Sequence, residues 1–198
     1  MDTFIENLKK HRFSVSRFST GKEAADYLCA QIQGTTVGFG DSETLMQMGL
    51  AARLAETNTV IDPQSYSGQE FLDVAKKALT AEVFLTSVNA AAQTGELVNL
   101  DSTGNRVAGS LFGHRKVYFV FSANKVEKTL EKAVWRVRNV AAPRNAQRFG
   151  FPTPCAVKGD RCYDCDCPER ICNSLVIYLR KEKNTEAEVV LIDEPLGL

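Results

Sequence analysis

Between residues 21 and 90 the sequence alternates between helical and strand patterns, and this alternation restricts the fold more than any other feature. Ala25, Leu28 and Ile32 recur at helical spacing, and the next segment, TTVGFG, is a short apolar run typical of a buried strand. Further along, SETLMQMGLAARLA and SGQEFLDVAKKAL have helical patterns, whereas TVID and EVFLTSVNA have strand patterns. Strands and helices in turn favour an α/β fold, with a mainly parallel sheet flanked by helices.

The second half of the chain departs from this rhythm. ELVNL and VYFVFS are predicted strands separated by a turn-rich stretch, so an added or antiparallel element is expected there. KVEKTLEKAVWRVRNVA is predicted to form one long amphipathic helix that ends near Pro143 and packs Trp135 against its neighbours. Residues 150–173 have no period, and two terminal strands, SLVIYLR and AEVVLID, follow. The apolar face of the long helix would consist of Val126, Leu130, Val134 and Val137.

The length and charge of the chain limit the class of protein to which it can belong. At 198 residues it can bury one sizeable core, so a single domain over residues 1–198 is expected. The 24 basic residues balance the 24 acidic ones, which leaves no field to attract nucleic acid or an anionic membrane. MDTFIENLKK is unlike a signal peptide, and no apolar run is long enough for a membrane span. We therefore expect a cytoplasmic protein with no nucleic-acid partner.

Five of the six cysteines crowd into the aperiodic segment 150–173. A reducing compartment disfavours disulfides, and thiolate ligation to Zn²⁺ or to an iron–sulfur cluster would order a loop with little apolar surface. The spacing matches neither ferredoxin pattern, so either metal group is allowed. The alternative is free thiols or a metal-free redox pair, and the isolated Cys29 is expected to be buried and inert. The clustered thiols are Cys155, Cys162, Cys165, Cys167 and Cys172.

The sequence GFGDSET lies where a predicted strand turns into a helix. Glycines let a ligand approach the backbone, and free N–H groups at a helix start favour a phosphate or a carboxylate. The segment is neither a dinucleotide-binding fingerprint nor a P-loop, so it indicates no nucleotide. The alternative is a tight turn in which Asp41 or Ser42 caps the helix. The candidate ligand-binding residues of this turn are Gly38, Gly40, Asp41, Ser42 and Thr44.

Further polar residues follow other predicted strands. If the sheet is parallel, Asn89, Asn124 and Lys125 lie at the same edge as the Gly-rich turn, and this placement predicts a polar pocket for a small anion. The alternative is that the asparagines and the DSTGNR segment form turns and that Lys125 is a solvated cation. The candidates from these segments are Asn89, Asp101, Asn105, Arg106, Asn124 and Lys125.

The histidines and the remaining arginines give weaker signals. His11 and His114 have no nucleophile near them in a recognisable pattern, so both are expected to be structural. The arginines form a basic stripe on the long helix and its extension, which is either a solvated face or one wall of an anion site. They are Arg136, Arg138, Arg144 and Arg148.

Several of these segments, taken in order, resemble the LUD (lactate utilization) domain family. They are GFGDSET, LTSVNA, TGELVNLDSTGNRVAG, SANKV, WRVRNVAAPRNAQR and PCAVKGDRCYDCDCPERICN, and the match as a whole spans roughly residues 20–178. The resemblance implies a fold like that of the glucosamine-6-phosphate isomerase, ribose-5-phosphate isomerase and coenzyme A transferase superfamily. The six polar candidates above fit the family's motifs. Its cysteine motif in the small members corresponds to Cys155, Cys162, Cys165 and Cys172, whereas Cys167 stands where a small polar residue is expected.

The resemblance also implies a part in the oxidation of lactate to pyruvate, in company with iron–sulfur redox partner proteins. The resemblance does not establish catalysis by this chain, and a direct hydride-transfer role has no visible cofactor, because the sequence contains no flavin or nicotinamide fingerprint. Our leading hypothesis is a component of a redox complex, with a metal in the cysteine segment and a small carboxylate in the pocket. One alternative is an isomerase- or transferase-type enzyme for a phosphorylated or coenzyme A-linked substrate, with Lys125 or Asp101 in acid, base or anion-binding roles. Another is a binding module with a structural zinc.

Overall fold

The computed structural model describes residues 1–198. Short 3₁₀ turns lie at Pro63–Ser65 and Ala123–Lys125, and a π-helical turn lies at Val137–Ala141. None of the helices combines the length and the apolar character needed to cross a membrane. The helices and strands, in chain order, are α1 (Asp2–Lys10), β1 (Ser14–Phe18), α2 (Gly21–Gln31), β2 (Thr36–Phe39), α3 (Glu43–Gln47), α4 (Leu50–Leu54), β3 (Thr59–Ile61), α5 (Gly68–Ala78), β4 (Val83–Thr86), β5 (Ala90–Ala92), β6 (Leu97–Asp101), α6 (Asn105–Leu111), β7 (Lys116–Ser122), β8 (Val126–Glu127), α7 (Leu130–Arg136), α8 (Ala142–Arg148), α9 (Pro154–Lys158), β9 (Ser174–Tyr178) and β10 (Glu186–Ile192).

The main sheet has six strands in the order β1-β10-β7-β4-β2-β3, and every neighbouring pair is parallel. The two longest strands, β7 and β10, lie inside the sheet and are buried along nearly their whole length. Near-continuous apolar runs such as VYFVF suit strands that are covered on both faces. The predicted mainly parallel sheet with flanking helices is therefore confirmed.

Alternate residues of β7 divide the core into two layers. Phe119 and Phe121 face the layer that contains Phe4 of α1, whereas Tyr118 and Val120 face the layer that contains α2 and α4. Successive side chains of a strand point to opposite sides of the sheet, so one buried strand serves both layers. The parallel sheet is thus held rigidly between helices, and the ends of its strands form a fixed edge.

A smaller, four-stranded sheet in the order β8-β5-β6-β9 stands beside the main one. β5 and β6 are antiparallel, as are β6 and β9, which confirms the antiparallel element predicted for the middle of the chain. Ala90 and Ala92 pack with Ala133 and Val137 in a third, small core. The small side chains of β5 let the helical segment α7 approach the sheet closely.

The long helix predicted over residues 125–141 differs from the observed structure. Val126 belongs to β8, and α7 begins only after Thr129, whose side chain accepts a hydrogen bond from the Lys132 N–H. The predicted end near Pro143 is also wrong, because α8 continues to Arg148. The π-helical turn immediately before α8 places Pro143 in the first turn of a new helical segment, where a missing N–H is tolerated.

Other predicted elements are subdivided in the structure. SETLMQMGLAARLA forms two helices, α3 and α4, separated at Gly49, whose φ of +60° ends the first helix. EVFLTSVNA is split between β4 and β5, which belong to different sheets. Trp135 is 60% exposed, so the expectation that it packs against the core or a neighbouring helix is wrong.

Candidate functional site

A cleft of about 390 Å³ opens at the edge where the parallel strands end. β2, β4 and β7 are adjacent in the sheet, so the turns that follow them are neighbours in space. These turns supply residues 40–44, residues 87–89 and Lys125 to the cleft wall. The end of β6 and the start of α6 add Asp101 and Arg106. Ligands of open α/β sheets gather at this strand-end edge.

Lys125 lines the cleft although only 4% of its surface is exposed. Its Nζ donates hydrogen bonds to Thr44 Oγ1 at 3.0 Å and to Ser87 Oγ at 3.3 Å, and it forms no ion pair. Burial, followed by the nearby guanidinium groups of Arg136 and Arg106, lowers the pKa of Lys125 to about 7. Lys125 is therefore a buried amine rather than a solvated cation.

Arg106 brings a second positive charge to the cleft. Its Nη2 donates to the carbonyl oxygen of Leu100 at 2.8 Å and to Asn89 Oδ1 at 3.3 Å. Its Nε is buried and has no hydrogen-bond partner in the chain. The N–H of a guanidinium group suits the oxygen of a carboxylate or a phosphate.

Asp101 lies in the cleft wall, but its oxygens are engaged within the protein. Oδ1 accepts a hydrogen bond from the Ser102 N–H at 2.9 Å, and Oδ2 accepts one from the Val107 N–H at 3.1 Å, in the first turn of α6. Arg106 Nη2 lies 3.8 Å from Oδ1. Asp101 thus fixes the start of α6 and helps to position Arg106.

The Gly-rich turn combines the two interpretations that the sequence allowed. Ser42 Oγ accepts a hydrogen bond from the Leu45 N–H at 3.3 Å and so caps α3. Asp41, whose φ is +51°, lines the cleft instead. Burial raises the pKa of Asp41, while Arg106 and Arg148 oppose this rise. Asp41 is thus a cleft carboxyl whose pKa lies above its ordinary value.

The outer part of the cleft has an ion pair and an aromatic rim. Arg148 Nη1 of α8 lies 3.0 Å from Glu43 Oε2 of α3, so the pair joins two elements across the cleft. The stripe that contains Arg148 therefore does contribute one wall. Large side chains from loops and helix ends complete the rim, and they are Met46, Tyr66, Phe71, Phe149, Phe151 and Ile171.

Two candidates lie away from the cleft. Gly38 is inside β2, where a Cβ would collide with the carbonyl oxygen of Ala78, so this glycine serves the close packing of α5 on the sheet. Asn124 is exposed in the 3₁₀ turn and does not line the cleft. The structure brings the other nine polar and glycine candidates together, and they are Gly40, Asp41, Ser42, Thr44, Asn89, Asp101, Asn105, Arg106 and Lys125.

The cysteine loop, residues 150–173, contains one short helix, α9, and is otherwise irregular. Backbone contacts fasten it near Cys162, whose N–H donates to Asn139 Oδ1 at 3.2 Å and whose Sγ accepts from the Asp164 N–H at 3.3 Å. Burial raises the pKa of Cys172, and the nearby thiols of Cys162 and Cys165 raise it further. These three sulfur atoms therefore lie in one part of the loop.

Two further thiols differ in their partners. Cys155 Sγ lies 3.4 Å from Thr153 Oγ1. A hydrogen bond with Cys165 raises the pKa of Cys167 to about 11, with smaller contributions from desolvation and nearby negative charge. The thiols fit a soft metal by chemistry and number, but no three His, Cys, Asp or Glu side chains converge closely enough to hold one ion. A metal would have to draw these thiols together.

The comparisons with known proteins agree with this architecture. The sequence matches the model of the LUD domain over residues 1–192. The chain belongs to the LUD domain family. This LUD-domain protein is also similar in fold to the crystal structure of a DUF162 family protein from Deinococcus radiodurans, with a TM-score of 0.53 and 13% sequence identity over 96% of this chain and 94% of that one. At this identity the likeness concerns the fold alone. No protein with a curated function matches the LUD-domain protein described here.

Sequence reasoning missed several residues of the LUD-domain cleft. Glu43 was hidden within a helical pattern, and its ion pair with Arg148 joins positions far apart in the chain. Arg136 was assigned to a stripe, yet it is buried and its Nη1 donates to the carbonyl oxygen of Asn89 at 2.7 Å. No sequence pattern indicated the aromatic rim, because residues in loops do not recur at a regular spacing.

Proposed function

We propose that this LUD-domain protein binds a small organic anion in the cleft and acts in the cytoplasm as a component of lactate utilization, in which lactate is oxidised to pyruvate. The observation that carries the proposal is the pair of basic side chains in the cleft wall, Lys125 and Arg106. Lys125 is buried without a carboxylate partner, and Arg106 has a buried N–H without any partner. A negatively charged ligand would satisfy both groups at once.

Electrostatics within the cleft favour an anion. The guanidinium group of Arg106 lowers the pKa of Lys125, because its positive charge repels the protonated form of the lysine. An anion bound by Arg106 would offset the positive charge of that guanidinium group. The aromatic rim leaves room beyond the cations for an apolar group or for part of a larger carrier.

Anion binding can be tested by calorimetric titration with lactate, pyruvate and inorganic phosphate. Arg106→Gln should weaken binding at least about tenfold, because a charge-assisted hydrogen bond contributes about 1.5–3 kcal/mol. Arg115→Gln is the matched control, since Arg115 is exposed and pairs with Glu82 outside the cleft. Absence of binding by all three anions, or an equal loss in both variants, would contradict the proposal.

The proposal includes a metal held by the cysteine loop, through Cys155, Cys162, Cys165 and Cys172. Its support is the number of half-buried thiols in a loop with little regular structure. Bound there, an iron–sulfur cluster would exchange single electrons with a redox partner protein, whereas Zn²⁺ would only fasten the loop.

The metal can be identified on protein purified without oxygen. Iron with acid-labile sulfide and a brown absorbance, lost in Cys162→Ala and retained in Cys29→Ala, would support the redox role. Cys29 is the matched control because it lies on α2, outside the cysteine loop. Stoichiometric zinc without colour would make the loop a structural clasp, and protein without metal after anaerobic purification would refute metal binding.

A second candidate function is an isomerase- or transferase-type reaction on a phosphorylated or coenzyme A-linked substrate. The observation that favours it is the presence in one cleft of a buried amine, Lys125, and a carboxyl, Asp41, whose pKa is raised mainly by burial. Titration with coenzyme A and ribose 5-phosphate separates the two candidates. Binding of either compound in preference to lactate and pyruvate would favour the second.

A further inference from the structure

Two lysines near β7 are shielded from solvent, and they differ in whether a carboxylate pairs with the amine. Lys116, at the start of β7, places its Nζ 3.0 Å from Glu188 Oε2. Although burial lowers the pKa of Lys116, its contacts with Tyr118 and Glu188 raise it above the ordinary value. Lys125, just beyond the end of β7, has no such carboxylate. One lysine is therefore fixed as a cation, and the other is not.

The hydrogen-bond partners of Lys125 suit a neutral amine as well as a charged one. Thr44 Oγ1 and Ser87 Oγ lie 3.4 Å apart, and each accepts from Lys125 Nζ. A hydroxyl can both accept and donate a hydrogen bond, unlike a carboxylate. The two hydroxyls can therefore hold the amine through loss of its proton and can pass a proton to a neighbouring group.

The charged groups around Lys125 favour the neutral amine at ordinary pH. Burial lowers its pKa most, and the positive charges of Arg136 on α7 and Arg106 on α6 also lower it; with Glu43 on α3 acting in the opposite direction, the pKa is about 7. A substantial fraction of the molecules then carries a free lone pair on Nζ near neutral pH. A lysine that is desolvated beside other cations is a nucleophile toward carbonyl carbon.

We propose that Lys125 forms an imine with the carbonyl carbon of a small 2-oxo acid whose carboxylate is held by Arg106. The substrate class follows from the two groups, because an amine nucleophile requires a carbonyl and a guanidinium with an unpartnered N–H requires an adjacent anion. This inference rests on the proposed anion-binding function and gives it a covalent step.

The step balances without an outside reactant. The Nζ lone pair attacks the carbonyl carbon, a C–N bond forms, and the electron pair of the C=O bond moves to oxygen, which takes a proton. The nitrogen gives up its two protons through the hydroxyls of Thr44 and Ser87, the first to that oxygen and the second to the resulting hydroxyl, which leaves as water while the nitrogen lone pair forms the C=N bond. Nothing is oxidised or reduced.

The imine can be trapped by incubating the protein with pyruvate and sodium borohydride and mapping the modified peptide by mass spectrometry. We expect one adduct per chain, on Lys125, with a mass gain of one pyruvate less one water plus two hydrogens. Lys116 is the internal control because its pairing with Glu188 keeps it protonated. Lactate has no carbonyl and should give no adduct, and acetone, which lacks a carboxylate, should give much less. Lys125→Arg should abolish the adduct.

The outcomes separate the covalent step from anion binding. Calorimetric binding of pyruvate without an adduct on Lys125, or with labelling spread over exposed lysines and no excess on Lys125, would overturn the covalent step and leave the proposed function standing. Absence of binding by lactate, pyruvate and phosphate would overturn the proposed function itself. The site of the adduct in the unaltered protein decides the question even if the Lys125 variant does not fold.

Discussion

Lys125 is the residue whose environment differs most from what its type predicts. A solvated lysine carries its charge at neutral pH, but this one sits among the hydroxyls of Thr44 and Ser87 and has two guanidinium groups nearby. Keeping the charged form in such surroundings costs free energy. That cost is present only while the folded protein holds the proton, so it should be visible in the pH dependence of stability.

Replacing Lys125 by Met should change how stability depends on pH. Between a folded-state pKa of about 7 and an unfolded one of about 10.4, the unfolded chain binds more protons, so the wild type gains up to about 1.4 kcal/mol of unfolding free energy per pH unit. The penalty is fully present below the lower value and relieved as pH rises. Lys125→Met lacks this gain. Chemical denaturation of both proteins at pH 7 and pH 9 measures the difference.

Lys116→Met provides the comparison. Because the pKa of Lys116 is raised, its contribution to stability is fully present below the unfolded value and stays constant across the same window. The unfolding free energy of this variant should change with pH in parallel with that of the wild type. A Lys125→Met curve that also runs parallel to the wild type would show that Lys125 keeps its charge in the folded protein.

Among the secondary-structure elements, α6 matters most to the cleft, because it carries Arg106 and is fixed at its start by Asp101. Asp101 accepts from the N–H groups of Ser102 and Val107 and is buried. The position resembled a ligand-binding carboxylate in the sequence. In the structure its oxygens satisfy the backbone around the helix start, and its effect on a ligand would pass through Arg106.

Asp101→Ala should lower the unfolding free energy by about 1–2 kcal/mol, because the first turn of α6 loses its acceptor. It should also weaken anion binding, since Arg106 loses its positioning partner. The matched control is Asp73→Ala on α5, an exposed position where a change within about 0.5 kcal/mol is expected. Equal stability of the two variants by urea denaturation would show that Asp101 does not hold the helix.

The π-helical turn between α7 and α8 is the second element that shapes the cleft. It widens the helix directly after the buried Arg136 and ends at Ala141, which lines the cleft with Ala142. An uninterrupted α-helix through Pro143 would meet the clash that proline causes with the preceding turn. The turn therefore lets one helical segment serve both the small core and the cleft wall.

At the scale of the whole molecule, most of the sheet but only part of the candidate site could be predicted from the sequence. TTVGFG, VYFVFS and AEVVLID were recognised because strands buried on both faces must be apolar, and parallel pairing then placed Ser42, Asn89 and Lys125 at one edge. Turns that follow neighbouring parallel strands meet regardless of their own sequence. The inner half of the cleft was therefore predictable.

The remaining parts of the fold and of the cleft were not predictable, for physical reasons. The spacing between Val126 and Leu130 fits a helix, but Val126 lies in a two-residue strand. Spacing in the sequence alone cannot distinguish these two structures. The burial of Arg136 depends on the carbonyl of Asn89, which is distant in the chain. Phe151 and Ile171 reach the cleft through an irregular loop whose path no local pattern encodes.

Those last two side chains have a consequence for the molecule as a whole, because they belong to the cysteine loop and to the cleft wall at once. A metal that ordered the loop would fix that wall, so anion affinity should be higher in metal-loaded than in chelator-treated protein. Calorimetry on the two forms checks this, and equal affinities would mean that the wall is already fixed.

Thermodynamic reciprocity then sets the other half of the relation. The factor by which the metal tightens the anion must equal the factor by which the anion tightens the metal, because both express one coupling free energy. A low concentration of either ligand would lower the apparent affinity of the protein for the other. Through the shared wall, ligand binding by the chain would depend on the concentrations of both the metal and the organic anion.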